Sequence, residues 1–444
     1  MLCIVATMNI CVVGQGKIGL PLAVAILQRN LANKVVGIDT NAKVVADLKR
    51  GFCPHVLEDN FVKKFQESIA SDRLKFDSDY SSVSNANVIV VAVPLKVNPK
   101  SLPDYQNLER AFCGVGDKLK QGSLVLLETT VPAGLCQKLI IPILEKTSGL
   151  SVGKDFSFGY SPERISSGSF FQDLYRYPKL IGPFDDKSAK MAAEFYSSFL
   201  HSEENTGNSP EIRVLSSIET AEFVKLAESI YRDVNIGLAN LLSSDCMQSG
   251  IDYFEVKESA NSQPHSNLHS PGIYVGGHCI PVYPHLYEVS FPNNPFLGLI
   301  KSARNINNLI HKSIIDFVLG EVKLREIKVE RCLIMGAAYR GDVKETYDSG
   351  VFPIIDYLKN NGIGCVVYDP LFSSEELVDF GLTPVQNTLS ETQLVIINSD
   401  HRTFMNLRSK DFSKGSIVID GRNILRPSNF LAGQLFTIGI GWNR

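Results

Sequence analysis

The chemistry in this sequence gathers around Pro271-Gly-Ile-Tyr-Val-Gly-Gly-His-Cys-Ile-Pro281. Three glycines and two prolines bend the backbone and let neighbouring main chain approach His278 and Cys279 closely. Glycine offers no side chain to bury, and a cysteine needed only as a small hydrophobe could sit on any strand. Cys279 therefore reads as a covalent nucleophile. The competing reading, an incidental loop thiol, would win for a lone cysteine, and it is the surrounding candidates that tip the balance.

The second constellation is Asn9-Ile-Cys-Val-Val13, a short apolar run read as a buried strand, followed at once by Gly14-Gln-Gly-Lys-Ile-Gly19. A helical pattern from Leu20 and a strand, Lys34–Ile38, lead to Asp39, twenty residues after Gly19. Gly14 permits the tight turn, Gly16 lets a pyrophosphate approach the backbone, and Gly19 lets helix and strand pack closely. The helix start adds free N–H groups and a positive dipole end. Asp39 can hydrogen-bond a ribose 2′-hydroxyl, and its charge would repel a 2′-phosphate. The expected cofactor is NAD, held by Gly14, Gln15, Gly16, Lys17, Ile18, Gly19 and Asp39, with Val93 and Thr130 at neighbouring strand ends.

Other candidates carry two readings each. Thr129 and Thr130 follow a strand and read equally as cofactor or water ligands and as turn caps. Glu163, in Ser161-Pro-Glu-Arg-Ile165, reads as a base or water-orienting group or as a solvated loop glutamate. Lys225 and Ser229 lie one turn apart on a helix face, where an exposed helix lysine is the plain alternative. Arg340 and Arg422 suit phosphate, because the guanidinium is a fixed fork of donors.

These residues need elements to position them. Apolar runs at 87–93, 123–127 and 156–160 read as further strands, with helices at 105–119 and 187–200. A polar break, 201–210, precedes a long helix, 217–249, in which Phe223, Leu226, Ile230, Val234, Leu238 and Leu241 recur at helical spacing. A loop spans 260–284, a helix runs from about 296 to 319, and a charged connector starts at Glu321. A second strand–helix alternation follows, with strands opening at Glu330, Gly364, Gln393 and Gly415, but its turn lacks the full glycine fingerprint. The expected fold is α/β: two Rossmann-like doubly wound domains, 1–205 and 321–444, joined by a helical middle domain, 206–320, with a long central helix and the cysteine loop. Such a helix often pairs with a symmetry mate, so a homodimer or higher homo-oligomer is expected.

The bulk numbers narrow the partners. The chain has 444 residues and a net charge of −3 with both signs interspersed, which argues against nucleic acid. Its nine cysteines are odd in number and without CxxC spacing, which fits reduced cytoplasmic thiols and no metal site. No apolar run is long enough to span a membrane. The first seven residues are apolar but lack a basic segment, and translation is expected to start at Met1 or Met8.

Seven stretches in this order resemble the UDP-glucose/GDP-mannose dehydrogenase family, the nucleotide-sugar 6-dehydrogenases: 9–23, Glu128-Thr-Thr-Val-Pro132, Tyr160-Ser-Pro-Glu-Arg164, Lys225-Leu-Ala-Glu228, Gly276-Gly-His-Cys-Ile-Pro-Val282, Gly336-Ala-Ala-Tyr-Arg340 and Asp420-Gly-Arg-Asn423. The resemblance runs from about residue 8 to the end. It implies a four-electron, NAD-dependent oxidation of a sugar C6 alcohol to a carboxylate, with the aldehyde captured by Cys279 as a thiohemiacetal and oxidised to a thioester. It gives Lys225 the role of oxyanion stabiliser and Glu163 with Thr130 that of activating water. It places the UDP-sugar against Arg164, Ile165, Lys225, Ser229, Tyr274, Gly276, Tyr339, Arg340 and Arg422, some of them across a subunit interface. The Gly-Gly-His-Cys form and Asn398-Ser-Asp-His401 resemble the UDP-N-acetylhexosamine branch, UDP-ManNAc or UDP-GlcNAc, serving surface polysaccharide synthesis. Three positions depart from the family pattern. Ser229 replaces an asparagine, Tyr283 an aspartate four residues past the cysteine, and Tyr347 an arginine. Other UDP- or GDP-sugars, a catalytically degenerate nucleotide-sugar-binding paralogue, and a single-step hydroxyacid dehydrogenase are the alternatives.

Overall fold

A computed structural model of the chain describes residues 8–29, 33–53, 61–98, 101–165, 170–200, 209–324, 326–385, 392–413, 415–425, 436–439 and 442–443. Residues 201–208 of the expected polar break at 201–210, and the seven residues before Met8, lie outside the described residues. The chain forms two compact units, 1–227 with 285–292, and 228–284 with 293–444.

The first unit is built on strands β1 (Asn9–Val13), β2 (Lys34–Ile38), β3 (Leu74–Asp77), β4 (Val88–Val91), β7 (Leu124–Leu127), β8 (Ser157–Tyr160), β9 (Lys179–Pro183) and β10 (Ile212–Val214). They form one sheet in the order β10-β9-β8-β7-β4-β1-β2-β3. All neighbours are parallel except β8 with β9. A small hairpin, β5 (Lys96–Val97) and β6 (Pro103–Asp104), lies apart. Helices α1 (Gly19–Arg29), α2 (Ala42–Lys49), α3 (Phe61–Ala70), α4 (Gln106–Lys118), α5 (Ile141–Ser148), α6 (Phe170–Leu174) and α7 (Asp186–Leu200) belong to the same unit. The strands are short Val, Leu and Ile runs with nearly every residue buried, as a sheet covered on both faces requires. Two apolar cores result. One gathers α1, α3 and α7, with Leu20, Ile26, Phe65 and Phe199; the other gathers α4 and α5, with Phe112, Ile140 and Phe158. The order β3-β2-β1-β4 places the reversal between β1 and β4, where open parallel sheets form a crevice at their carboxyl ends.

Helix α8 (Ile218–Ser249) is the long helix expected, but beside Leu226 and Met247 its buried face carries polar residues. Glu222, Ser229, Asp233 and Asn240 are buried, whereas Phe223, Leu238 and Leu241 stay exposed. The expected loop at 260–284 is bounded by α9 (Tyr253–Asn261) and α10 (Tyr283–Ser290). Tyr283 thus opens a helix. The charged connector begins later than expected, because α11 (Gly298–Leu324) runs through Glu321 and buries Val322.

In the second unit, strands β11 (Arg331–Met335), β12 (Gly364–Tyr368), β13 (Leu394–Ile397), β14 (Ile417–Asp420), β15 (Phe436–Gly439) and β16 (Trp442–Asn443) form a sheet in the order β12-β11-β13-β14-β15-β16. All pairs are parallel but the last. Helices α12 (Val351–Asn360) and α13 (Ser374–Asp379) complete it. Its larger core joins α11 to α12 and the sheet through Ile315, Val318, Val351 and Ile354. Among the described residues, no helix is long and apolar enough to cross a membrane.

Candidate active site

In the first unit, the turn after β1 is set by contacts that only glycine permits. Gly14 has φ +92°, and a Cβ there would lie 2.8 Å from the Ala92 carbonyl oxygen. A Cβ on Gly19 would come within 1.8 Å of the Gly14 oxygen. Gly16, by contrast, has nothing within 4 Å of a Cβ, which leaves its backbone open to a ligand. Asp39 closes the turn. Its Oδ2 accepts from Gln15 N at 2.9 Å and its Oδ1 from Asn41 N at 2.9 Å. A carboxylate offers about four lone-pair directions, so two remain for ribose hydroxyls. Val93 packs on Gly14, and its carbonyl accepts from Thr129 Oγ1 at 2.6 Å, so Thr129 acts as a turn anchor. Thr130, the next residue, is buried. Gly14, Gln15, Gly16, Gly19, Asp39 and Val93 are thus brought to one crevice, with Lys17 and Ile18 in its turn, and they fit a dinucleotide.

Glu163 is not a solvated loop glutamate. Its Oε1 accepts from the N–H groups of Arg164 at 2.7 Å and Ile165 at 3.1 Å, and its Oε2 lies 3.2 Å from Lys179 Nζ. Lys179 also pairs with Glu128 Oε1 at 3.0 Å, and Tyr196 donates to the same oxygen at 2.6 Å. Burial pushes the Glu128 carboxyl above its ordinary range, with Glu163 adding to the effect. Burial works against the Lys179 ammonium, yet Glu128 and Glu163 hold its pKa above the usual value. The Arg164 guanidinium donates to the Pro178 carbonyl at 3.3 Å, and Ile165 packs on the α1/α7 core. Lys225 is half-buried on α8, and Ser229 is buried one turn on.

In the second unit, Cys279 is exposed, and all eight cysteines among the described residues are free thiols. Its carbonyl accepts from Val282 N and Tyr283 N, so the first turn of α10 starts from the cysteine's own backbone. Segment 345–348 clamps this loop. Gly277 has φ +98° and donates to the Tyr347 carbonyl at 3.2 Å. A Cβ on Gly276 would lie 2.0 Å from the Asp348 oxygen, and one on Gly277 would meet the Tyr339 ring at 2.8 Å. Tyr274 OH donates to Asp348 Oδ1 at 3.3 Å, and burial, then Asp348, push the Tyr274 hydroxyl up to about 12. Tyr274, Gly276 and Tyr339 are therefore gathered along the loop that leads to Cys279.

The turn after β11 explains how this lobe manages without a full glycine fingerprint. Gly336 has φ +101°. Asp369, which follows β12 as Asp39 follows β2, accepts from Ala337 N at 2.7 Å and Ala338 N at 3.1 Å. Unlike Asp39, it is fully enclosed and bonded to His401 Nε2 at 3.1 Å. This acid serves the turn rather than a ribose. Arg422 is likewise committed: its Nε donates to the Asn398 carbonyl at 2.6 Å and its Nη2 to the Tyr339 carbonyl at 3.1 Å. Arg340 lies over the Tyr339 ring at 5.9 Å.

Sequence reasoning missed the residues that hold these parts. Lys179, Tyr196 and Glu128 sit on three separate elements, and no spacing links them. A buried network in the second unit, Asp233 and Asn240 on α8 with Arg304 and Asn307 on α11, was equally silent. Asn240 Oδ1 accepts from Gly272 N at 2.9 Å, and Arg304 Nη1 reaches the Ile280 carbonyl at 3.4 Å, so the network touches both ends of the cysteine loop.

Two nucleotide-type lobes, one with a complete dinucleotide turn, and a helical segment bearing an exposed cysteine define an NAD-linked dehydrogenase of nucleotide-carrying substrates. Three family models match the chain: the NAD binding domain at 8–200, the central domain at 219–309 and the UDP binding domain at 333–427 of the UDP-glucose/GDP-mannose dehydrogenase family. The chain is 31% identical over 432 residues to the UDP-N-acetyl-D-mannosamine dehydrogenase of Pyrococcus horikoshii, covering 96% of this chain and 98% of the relative. It is 28% identical to the Yersinia pestis enzyme of the same description, covering 94% and 99%. Among solved structures, the P. horikoshii UDP-D-ManNAc dehydrogenase superposes with a TM-score of 0.85 at 29% identity, covering 98% and 99% of the two chains. The Staphylococcus aureus UDP-N-acetyl-mannosamine dehydrogenase gives 0.83 at 27%, covering 98% of each. The chain belongs to the UDP-glucose/GDP-mannose dehydrogenase family and is an NAD-dependent UDP-sugar dehydrogenase.

Proposed function

We propose that the protein oxidises the C6 hydroxymethyl group of UDP-N-acetylmannosamine to the uronate, in two two-electron steps on one enzyme. The supporting observation is full-length similarity to enzymes described as UDP-N-acetyl-D-mannosamine dehydrogenases. NAD in the β1–β4 crevice supplies the hydride acceptor. Cys279 Sγ bonds to the C6 aldehyde carbon and holds it first as a thiohemiacetal and then as a thioester. Thiolate sulfur suits this role because it is intrinsically nucleophilic. Lys225 offers its ammonium to the oxyanion that develops. Glu163, with Thr130, orients the water that cleaves the thioester and takes its proton. Arg164, Ile165, Ser229, Tyr274, Gly276, Tyr339 and Arg340 hold the sugar nucleotide, and Arg422 contributes by fixing the Tyr339 backbone.

The exposed Phe223, Leu238 and Leu241 on α8 support a homodimer through that helix. The reading further places the enzyme in the cytoplasm, in the supply of an acidic sugar nucleotide for surface polysaccharide, with domain boundaries near 206 and just past the end of α11. The test is stoichiometry: two NADH per UDP-N-acetylmannosamine with a C6 acid product. One NADH per sugar would indicate a single-step dehydrogenase, and binding without turnover on any UDP- or GDP-sugar a degenerate paralogue. Cys279→Ser should abolish net turnover and leave NAD binding intact.

A further inference from the structure

We infer that Lys179 is a positioning residue for the hydrolytic half of the reaction, holding the Glu163 carboxylate in the orientation that activates water. The inference rests on the role given above to Glu163. Lys179 opens β9, which pairs antiparallel with β8, and Glu163 lies three residues beyond the end of β8. The pairing brings the two side chains together just beyond the carboxyl end of β8. Both oxygens of Glu163 are then restrained from opposite directions, Oε1 by two N–H groups of its own loop and Oε2 by the ammonium. Rotation of the carboxylate would break one set or the other. Oε1 is filled by its two N–H donors, and Oε2, with the single ammonium, keeps a lone-pair direction for water.

Lys179 is itself fixed from behind. Glu128 takes one side of the ammonium, Tyr196 bonds that carboxylate, and the ammonium lies 4.7 Å from the centre of the Tyr196 ring. Exposure rises along the row. The side chain of Glu128 is 0% exposed, Lys179 7% and Glu163 10%. Glu163 is the end that faces outward. Glu128 with its tyrosine already neutralises the buried lysine, so an ion pair serving the fold alone has no need of the second carboxylate. The asymmetry points to a cation anchored by Glu128 and directed at Glu163.

The experiment is a rapid-quench reaction with excess NAD and UDP-N-acetylmannosamine, reading NADH per site and the acylated Cys279 by intact mass. Lys179→Met should give a burst of two NADH per site, accumulate acyl-enzyme and slow turnover by about a hundredfold, the lower end of what one positioned acid–base group contributes. Lys179→Arg should restore hydrolysis. Because Lys179→Met strands two buried carboxylates, the charge-balanced variant Lys179→Met/Glu128→Gln is measured beside it and should accumulate the same adduct. Glu163→Gln serves as the reference. Native hydrolysis in Lys179→Met and in Lys179→Met/Glu128→Gln while Glu163→Gln accumulates adduct overturns the inference alone. Native hydrolysis in Glu163→Gln overturns the reading of Glu163 itself. Loss of the NADH burst together with NAD binding in both methionine variants assigns Lys179 to the fold, which also overturns the inference.

Discussion

The imidazole of His278 lies flat on the phenol ring of Tyr347, with centroids 4.1 Å apart and planes 18° from parallel. On its other side, His278 Nε2 is 2.9 Å from Glu345 Oε2. Tyr347 stands where the family pattern carries an arginine, and here it grips the residue before Cys279. An aromatic pair contributes about 0.5–1.5 kcal/mol beyond its buried area. Tyr347→Ala should therefore loosen the loop and lower kcat by about two- to tenfold, while Tyr347→Phe, which keeps the ring, stays near the native rate. Steady-state kinetics on both variants checks this, and equal loss in the two would refute the stack as the relevant contact.

Much of this site was legible in the sequence, and what was not has a physical reason. Gly14, Gly19 and Asp39 declare themselves because a short turn, a close helix contact and a strand-end acid fix both residue type and spacing. Cys279 is legible because glycines isolate it from any core. Glu163 was ambiguous until its partner appeared, since Lys179 lies sixteen residues away and meets it only through the antiparallel pairing of β8 and β9. The connector at Glu321 was misplaced because charged residues continue α11 readily while Val322 remains buried. Tyr283 looked like a defect in a loop. Its place as the first residue of α10 depends on the turn made by the Cys279 carbonyl, which no residue pattern announces.

Asp39 makes a separable prediction about the cofactor. Its carboxylate accepts from two backbone N–H groups and retains room for a ribose. Asp39→Asn keeps one acceptor oxygen, removes the charge and turns a donor toward the site. A charge-assisted hydrogen bond contributes about 1.5–3 kcal/mol, so NAD affinity should fall by roughly ten- to a hundredfold. NADP, no longer repelled at its 2′-phosphate, should gain relative to NAD. Titration of both dinucleotides decides it, and an unchanged NAD/NADP ratio would remove Asp39 from cofactor selection.

His311 makes a prediction about pH. It is buried on α11 with its ring edge-on to Tyr274 and Tyr357. Burial, helped by Lys312, lowers its pKa from 6.5 to about 4. Protons therefore bind the unfolded chain first. The folded state keeps its full advantage above pH 6.5 and loses it as pH falls from 6.5 towards 4. The loss should amount to between about 1 and 3 kcal/mol. His311→Leu should flatten that part of the curve. Denaturant midpoints at pH 7 and pH 5 give the comparison, and an equal drop in variant and native protein would place the titrating group elsewhere.

The last prediction separates stability from activity at the cysteine loop. Arg304 Nη1 donates to Asp233 Oδ1 at 2.6 Å, and Asn307 Nδ2 donates to the same oxygen at 2.8 Å. Both charged side chains are enclosed, so removing one leaves the other uncompensated. Arg304→Met should cost about 3–5 kcal/mol. Arg304→Met/Asp233→Leu removes both charges and should recover most of that stability, because a buried pair replaced by apolar groups of similar size is often neutral. It does not restore the donor to the Ile280 carbonyl, the residue after Cys279. Turnover should therefore remain depressed in the double variant although its unfolding midpoint returns. If activity returns along with stability, the Arg304–Asp233 pair serves only the fold, and the loop is held by segment 345–348 and Asn240.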